Sequence, residues 1–317
     1  MISTIITTYG GGSKLERAID SVLSQTYEDY EVIIVDDNNP NTECRYLTEN
    51  IMKKYDNNSQ ITYLKHDKNM NGAVARNTGI QAAKGEYISF LDDDDFYLSE
   101  RFEKIMNVLM KNHNLIGIYT GVNLQDENNY TLDRVVPKEN LSINQLLLNE
   151  MVLGTGSNIF VKRDIACELK GFDISFARRQ DTEFMIRVCE RGNIGYIPEC
   201  LVIKSVNGIY SIPSYKKLKE TIVQFTEKFN RYVEYLGDDK NNYYSNQYSS
   251  LFDAALYEND REEIEEAFNL IKKYRKITIK DYMRAFIHIY KLRDNKIVSE
   301  AIKLEKKLRS KKIIKRS

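Results

Sequence analysis

Up to about residue 205 the chain alternates short runs of β-branched and aromatic residues with stretches in which apolar residues recur every three or four positions. Few folds accept that alternation. It is the pattern of an α/β unit built on a mostly parallel sheet with helices against its faces. Strand runs read at 4–7, 31–35, 61–64, 86–91 and 116–120, and helical patterns at 15–24, 42–54 and 72–83. In the first helical pattern Leu15, Ile19, Val22 and Leu23 share one face, which assigns that face to the core. Beyond about residue 205 the β runs stop. Leu218, Ile222, Phe225, Phe229 and Leu236 then repeat at helical spacing, as do Ile264, Phe268 and Ile271, and later Ile297, Ala301, Leu304 and Leu308. Pro213 and Ser214 mark the junction, so the expectation is an α/β domain over 1–212 and a helical region over 213–317. The polar, aromatic stretch 237–248 reads as a loop leading into another helix.

Ligands of open α/β sheets bind outside the carboxyl ends of the strands, so the residues just past each strand matter most. Asp92, Asp93, Asp94 and Asp95 follow the run Tyr87-Ile88-Ser89-Phe90-Leu91 directly. Four adjacent carboxylates repel one another, and removing even one from water costs several kcal/mol (about 2 to 5) unless something neutralises it. A hard divalent cation such as Mg2+ or Mn2+, held by oxygens with phosphate completing its shell, answers that cost. A solvated turn is the plainer reading of an aspartate run, because Ser99 and Glu100 already mark the next helix start and Phe102, Ile105 and Leu109 continue it. Position favours the cation. The first strand ends in Thr7-Thr8-Tyr9, the second in Asp36-Asp37-Asn38, and the third is followed by 65–71, so polar, aromatic and carboxylate groups meet at one rim suited to a nucleotide.

Composition narrows the partners. Lys plus Arg and Asp plus Glu both number 46, so no global charge favours nucleic acid. Cys44, Cys167, Cys189 and Cys200 form no CxxC pair, and with only His66, His113 and His288 beside them a structural zinc site is not supported. Reduced thiols fit a cytoplasmic protein. The start of the chain lacks a secretory signal pattern, and no span holds the roughly 18 uninterrupted apolar residues of a membrane helix. Residues 303–317 carry eight Lys or Arg against one Glu. A solvated helix end is the plainer reading of that run, and peripheral contact with anionic lipid at the inner membrane face is the alternative.

Five segments, in this order and spacing, resemble the family 2 glycosyltransferases of the GT-A fold. They are Ile5-Ile6-Thr7-Thr8-Tyr9, 21–27 (SVLSQTY), 31–37 (EVIIVDD), 72–79 (GAVARNTG) and Phe90-Leu91-Asp92-Asp93-Asp94-Asp95. The resemblance covers roughly 1–205 and fades over the helical remainder. It implies that Thr7, Tyr9 and Asp37 hold the base of a nucleoside diphosphate, with Asp37 accepting from the ring imide. That carboxylate favours a UDP-sugar without naming the base. It further implies that Asp92 and Asp93 lie near the ribose and that Asp94, with Asp95 beside it, holds the metal. Asn71 belongs to the nucleotide-binding rim, and Arg76 and Lys68 are candidates for the diphosphate, although Arg76 also fits an ordinary helix-surface position. Where the family usually has Asn after the tyrosine, this chain has Gly10, then Gly11 and Gly12, a permissive loop that matches no dinucleotide or P-loop cradle.

Downstream, 154–158 (GTGSN) precedes a strand at 159–162, and Arg178-Arg179-Gln180-Asp181 opens a helix packed through Phe184, Ile186, Val188 and Cys189. A carboxylate in that first turn has a plain role against the helix dipole. The family places an acidic dipeptide there to supply the general base. Here Gln180 replaces the usual Glu, so Asp181 is the matching catalytic carboxylate. Arg178 and Arg179 are candidates for phosphate or acceptor on charge alone, and the glycine-rich 154–158 is a candidate acceptor-side loop. The resemblance therefore implies an inverting, metal-dependent hexosyl- or N-acetylhexosaminyl-transferase acting on a hydroxyl of a glycan, glycolipid or glycoprotein. Processive members carry an Arg-Trp element and membrane helices; this chain has no tryptophan, which favours one sugar per encounter. Two alternatives stay open: a catalytically silent sugar-nucleotide-binding scaffold and a sugar nucleotidyltransferase. The apolar stripes of the helical region need burial, against the first domain or in a homodimer.

Overall fold

The computed structural model describes residues 1–10, 12–149, 151–206 and 213–289. They form two compact units, one within 1–146 and 151–206, the other of 147–149 with 213–289. The chain enters through β1 (Ile2–Thr8), α1 (Ser13–Leu23), β2 (Tyr30–Asp36), α2 (Glu43–Met52), β3 (Ile61–Lys65), α3 (Gly72–Ala82) and β4 (Tyr87–Asp92). It continues through β5 (Phe96–Tyr97), α4 (Arg101–Lys111), β6 (Leu115–Gln125), β7 (Thr131–Val135), α5 (Ile143–Leu148), β8 (Phe160–Lys162), α6 (Arg163–Glu168), α7 (Gln180–Cys189) and β9 (Asn193–Ser205).

Among the described residues nine strands make one mixed sheet in the order β3-β2-β1-β4-β8-β6-β9-β5, with β7 on β6. Most paired residues are parallel: β3, β2, β1 and β4 run together, as do β6 and β9, whereas β8, β5 and β7 pair antiparallel. β1 starts in the middle and is flanked by β2 and β4, which makes the end of β1 a topological switch point. The register follows from buried β-branched runs covered on both faces, with Ile2, Ile5, Ile6, Val32, Ile33 and Ile34 at most 1% exposed. It sets Thr8 beside Asp36 and Thr7 beside Asp92. Gly79 lets α3 lie directly on β1: a Cβ there would stand 2.3 Å from Ile5 Cγ2.

β5, β7 and β9 have no counterpart among the strand runs read from the sequence. β9 hides because Pro198 breaks its pattern; the ladder with β6 steps from Ile197 to Cys200 across it, as a residue without an N–H requires.

The helical unit comprises α8 (Tyr215–Lys228), α9 (Asn230–Tyr235), α10 (Lys240–Glu258), α11 (Arg261–Lys272) and α12 (Ile279–Ile289). Ser214 and Asp260 cap α8 and α11 by accepting from Lys217 N and Glu263 N. Leu218, Ile222, Leu251, Phe252, Ile264 and Ile271 form its core. Residues 237–248 are not a loop: a single 3-10 turn over Gly237–Asp239 runs into α10. The buried stripe there is Tyr243, Gln247, Leu251, so a polar residue sits where an apolar one would reveal the period. Tyr244 stacks on Tyr274 with ring centroids 4.6 Å apart, a packing role for the tyrosines of this region. The Ile297–Leu308 pattern and the basic stretch 303–317 lie outside the described residues.

Candidate active site

A cavity of about 460 Å³ opens outside the carboxyl ends of β1, β2 and β4, beside the start of α3. Thr7, Thr8 and Tyr9 line it from β1, Asp37 from β2, and Asn69, Asn71 and Gly72 from the approach to α3. Ala75 and Arg76 on α3 and Asp92, Asp93 and Asp94 after β4 complete the wall. The fold thus gathers Thr7, Tyr9, Asp37, Asn71, Arg76, Asp92, Asp93 and Asp94 around one space. Lys68 is exposed and not part of that wall. Tyr9 is 64% exposed, a ring left open to stack on a planar ligand.

Asp37 is nearly buried, and its carboxylate organises the loop opposite. Its Oδ1 accepts from His66 Nδ1 at 2.7 Å and Met70 N at 2.7 Å, and its Oδ2 from Asn69 Nδ2 at 2.9 Å and Asn71 N at 3.0 Å. A carboxylate has about four acceptor positions, and these four donors fill them. An imide reaching Asp37 must therefore take the place of a donor already there, and Asn69 supplies the only exposed side chain of the set. Asn71 pays for its place with a backbone at φ 82°, ψ 161°, a region that favours glycine, while its side chain caps α3 through Ala73 N and Val74 N.

The aspartate run splits. Asp92 pairs with Arg76 Nη2 at 2.7 Å. Asp93 accepts from Thr8 Oγ1 at 2.6 Å, and burial, helped by the charges of Asp94 and Asp92, still pushes its carboxyl up to about 6. Burial and the Asp92 charge likewise raise Asp94, against the pull of Lys14 and Lys204. Asp95 turns away. It is 2% exposed, it is absent from the cavity wall, and its oxygens accept from Ser157 Oγ at 2.6 Å, Thr155 Oγ1 at 2.8 Å and Ser205 N at 3.1 Å. Asp95, expected beside the metal, fastens the 155–157 turn and the end of β9. Arg17 holds the same corner, donating to Asp94 O at 2.9 Å and Ser205 Oγ at 2.6 Å.

Among the described residues, no three His, Cys, Asp or Glu side chains form a cage for a metal. Asp93 and Asp94 fit a different arrangement. Their crowded carboxylates offer oxygens that a hard cation would share with water and phosphate, which is how Mg2+ is usually held.

Asp181 lies outside the cavity wall but next to it. A Cβ built on Gly156 would be 3.8 Å from each of Arg76 Nη2, Asp92 Oδ2 and Asp181 Cβ, so the 154–158 turn, the cavity and the start of α7 meet at that glycine. Arg179 precedes α7 in a left-handed conformation, φ 60° and ψ 24°, and in the first turn Asp181 Oδ1 accepts from Thr182 N at 2.8 Å. Gln180 Oε1 accepts from Arg76 Nη1 at 3.2 Å. Arg178 is exposed. Thr8, His66 and Asn69 lie in the rim segments and Thr155 and Ser157 in the glycine-rich 154–158, but the sequence assigns none of them a contact, and it carries no signal for Arg17.

The model of the family described as Glycosyl transferase family 2 matches residues 3–169, over half of the chain, and the protein belongs to that family. An uncharacterized glycosyltransferase of Haemophilus influenzae is 26% identical over 193 residues, 60% of this chain and 62% of the relative, so the match spans less than two thirds of that protein. Poly(ribitol-phosphate) beta-N-acetylglucosaminyltransferase TarP of Staphylococcus aureus is 41% identical over 123 residues, 37% of this chain and 36% of TarP. The crystal structure of S. aureus TarS 1-349 in complex with UDP-GlcNAc superposes with a TM-score of 0.56 at 13% identity, covering 86% of this chain and 91% of that one. That likeness establishes a common GT-A fold.

Proposed function

We propose that this chain transfers a hexosyl or N-acetylhexosaminyl group from a UDP-sugar to a hydroxyl of a glycan, glycolipid or glycoprotein, with inversion and with Mg2+ or Mn2+. The observation that carries the reading is one rim that joins Thr7, Tyr9, Asp37, Arg76 and Asp92–Asp94 around a cavity and sets Asp181 beside it at Gly156. Family membership and the UDP-GlcNAc named for TarS support the donor class.

In this reading the base lies against Tyr9 and Asp37, the ribose near Asp92 and Asp93, and the diphosphate near Arg76. A metal held by Asp94 and Asp93 would supply positive charge to the departing diphosphate. Asp181 removes the proton of the acceptor hydroxyl as that oxygen bonds to the anomeric carbon and the bond to the diphosphate breaks. General-base catalysis of this kind is worth about 10² to 10⁴ in rate. Gly156 leaves the acceptor room to approach, since any larger residue would stand among Arg76, Asp92 and Asp181.

The test is turnover of UDP-N-acetylglucosamine and UDP-glucose with Mn2+ and a polysaccharide or lipid-linked acceptor. Release of free UDP is expected. Pyrophosphate as product would instead favour a nucleotidyltransferase, and UDP binding without turnover on any acceptor a silent scaffold.

A further inference from the structure

We propose that residues 295–309 are the second helix of a repeated hairpin, and that this segment of the chain's own C-terminus occupies the apolar groove between α11 and α12.

α12 packs on α10 and α11 and buries Asp281 and Ala285 there. Its apolar residues continue past that face, so that Tyr282 and Met283 are 54% and 58% exposed. With Phe268 and Asn269 of α11 and Ala285 and Phe286 of α12 they line a groove of about 580 Å³. Apolar surface gathered in this way marks a contact site.

The sequence identifies the partner. α10, the turn at Asn259 and Asp260, and α11 make one helical hairpin, and the chain repeats its pattern 34 positions further on. Tyr248 returns as Tyr282, Phe252 as Phe286, Asp260 as Asp294, Ala267 as Ala301, Leu270 as Leu304 and Arg275 as Arg309. Ile264 and Phe268 return as the apolar Val298 and Ile302. A period of about this length belongs to stacked helix pairs, each of which buries its apolar face only against the next. The matched positions carry the first hairpin. Phe252 and Ala267 are buried in its core, and Asp260 caps α11 by accepting from Glu263 N at 3.0 Å. Asp294 takes the capping place in the second copy, and the residues after it take the place of α11. Ile271 returns as Glu305, a polar change suited to a last helix with no copy beyond it.

The first copy also supplies the contacts. Phe252 of α10 meets Phe268 of α11 with ring centroids 6.0 Å apart, and Phe268 meets Tyr282 of α12 at 5.1 Å. One period on, the first of these becomes Phe286 with Ile302, which lays Val298, Ala301 and Ile302 over the groove. Lys306, Lys307 and Arg309 are then the counterparts of Lys272, Lys273 and Arg275, basic residues at a helix end rather than a lipid-binding run.

A photo-crosslinker in the groove tests the occupant. The full chain carrying Met283→p-benzoylphenylalanine would be prepared in light and heavy-isotope forms, mixed, irradiated with phosphatidylserine vesicles present, and mapped by mass spectrometry. Crosslinks from position 283 to 295–309 are expected, joining light to light and heavy to heavy. Light-to-heavy crosslinks would make the occupant a second copy, and crosslinks to lipid or only to residues outside 295–309 would leave the segment elsewhere; each overturns the proposal. Amide hydrogen exchange gives a second readout. In the parent, 297–309 should exchange at least about 100-fold more slowly than a free peptide of that sequence, and Leu304→Asp should cut that protection by about tenfold or more. Exchange of the parent segment at the free-peptide rate, or unchanged protection in Leu304→Asp, overturns it as well.

Discussion

The ends of β2 and β4 each bury an aspartate, and they do it differently. Asp36 is fully buried with a cation: Arg45 Nε stands 3.2 Å from its Oδ2, and Tyr63 Oη donates to the same oxygen at 2.6 Å. Asp95 is buried among neutral donors, held by two hydroxyls and a backbone N–H, and burial together with the Asp92 and Asp94 charges drives its carboxyl up to about 7. Asp37, on the cavity side of β2, is saturated by neighbouring donors, while Asp93 and Asp94, on the cavity side of β4, keep charge that the fold only partly relieves. The β2 edge is therefore wall, and the β4 edge is where an outside cation has most to gain.

The sharpest way to break this contrast is at the chemistry. Asp94→Ala and Asp181→Asn should each lower transfer by about 10³-fold. Mn2+ should raise the thermal unfolding midpoint of the parent and of Asp181→Asn, and not that of Asp94→Ala. Full turnover in either variant would remove the proposed role of that residue.

Next in size is the same substitution made at both edges. Asp36→Asn leaves Arg45 buried without its anion and should cost about 3 kcal/mol by urea denaturation. Asp95→Asn keeps its partners, because the Thr155 and Ser157 hydroxyls can turn to accept from the amide, and should change stability by less than about 1 kcal/mol near pH 6. The sign at higher pH differs. A carboxyl raised by burial is stabilised protonated, so the parent without added metal loses stability as pH rises through about 7. The asparagine variant lacks that loss and should overtake the parent at pH 8. Equal costs at the two edges would show that the cation at Asp36 is irrelevant.

Local sequence carried the parts of the site that local chemistry determines. Thr7, Tyr9, Asp37 and Asp92–Asp94 are readable because each follows a β-branched run whose length and period announce a strand end. The four donors on Asp37 come from 66–71, a short segment after a strand and already suspect as part of the rim. Asp95 differs from Asp94 only through Thr155, Ser157 and Ser205, which lie 60, 62 and 110 positions away. No local pattern encodes such a contact. β9 escaped for a related reason, since its identity as a strand depends on pairing with β6 on either side of Pro198.

The smallest expected effect tests whether the wall at β2 is held under strain. Asn71 combines a costly backbone, about 1 to 3 kcal/mol for a non-glycine residue in that region, with a cap worth about 1 kcal/mol to α3. Asn71→Gly relieves the first and loses little of the second, because glycine at a cap costs only a few tenths of a kcal/mol (about 0.3). The freedom that glycine adds to the unfolded chain offsets about 0.5 to 1 kcal/mol of the gain. The net should be a stabilisation below about 1 kcal/mol, read from the midpoint of urea unfolding at unchanged slope. Asn71→Ala keeps the strain and removes the cap, so it should cost about 1 kcal/mol. If glycine destabilises as much as alanine, the backbone at Asn71 is not strained, and the rigidity of the β2 wall must come from the donors on Asp37 alone.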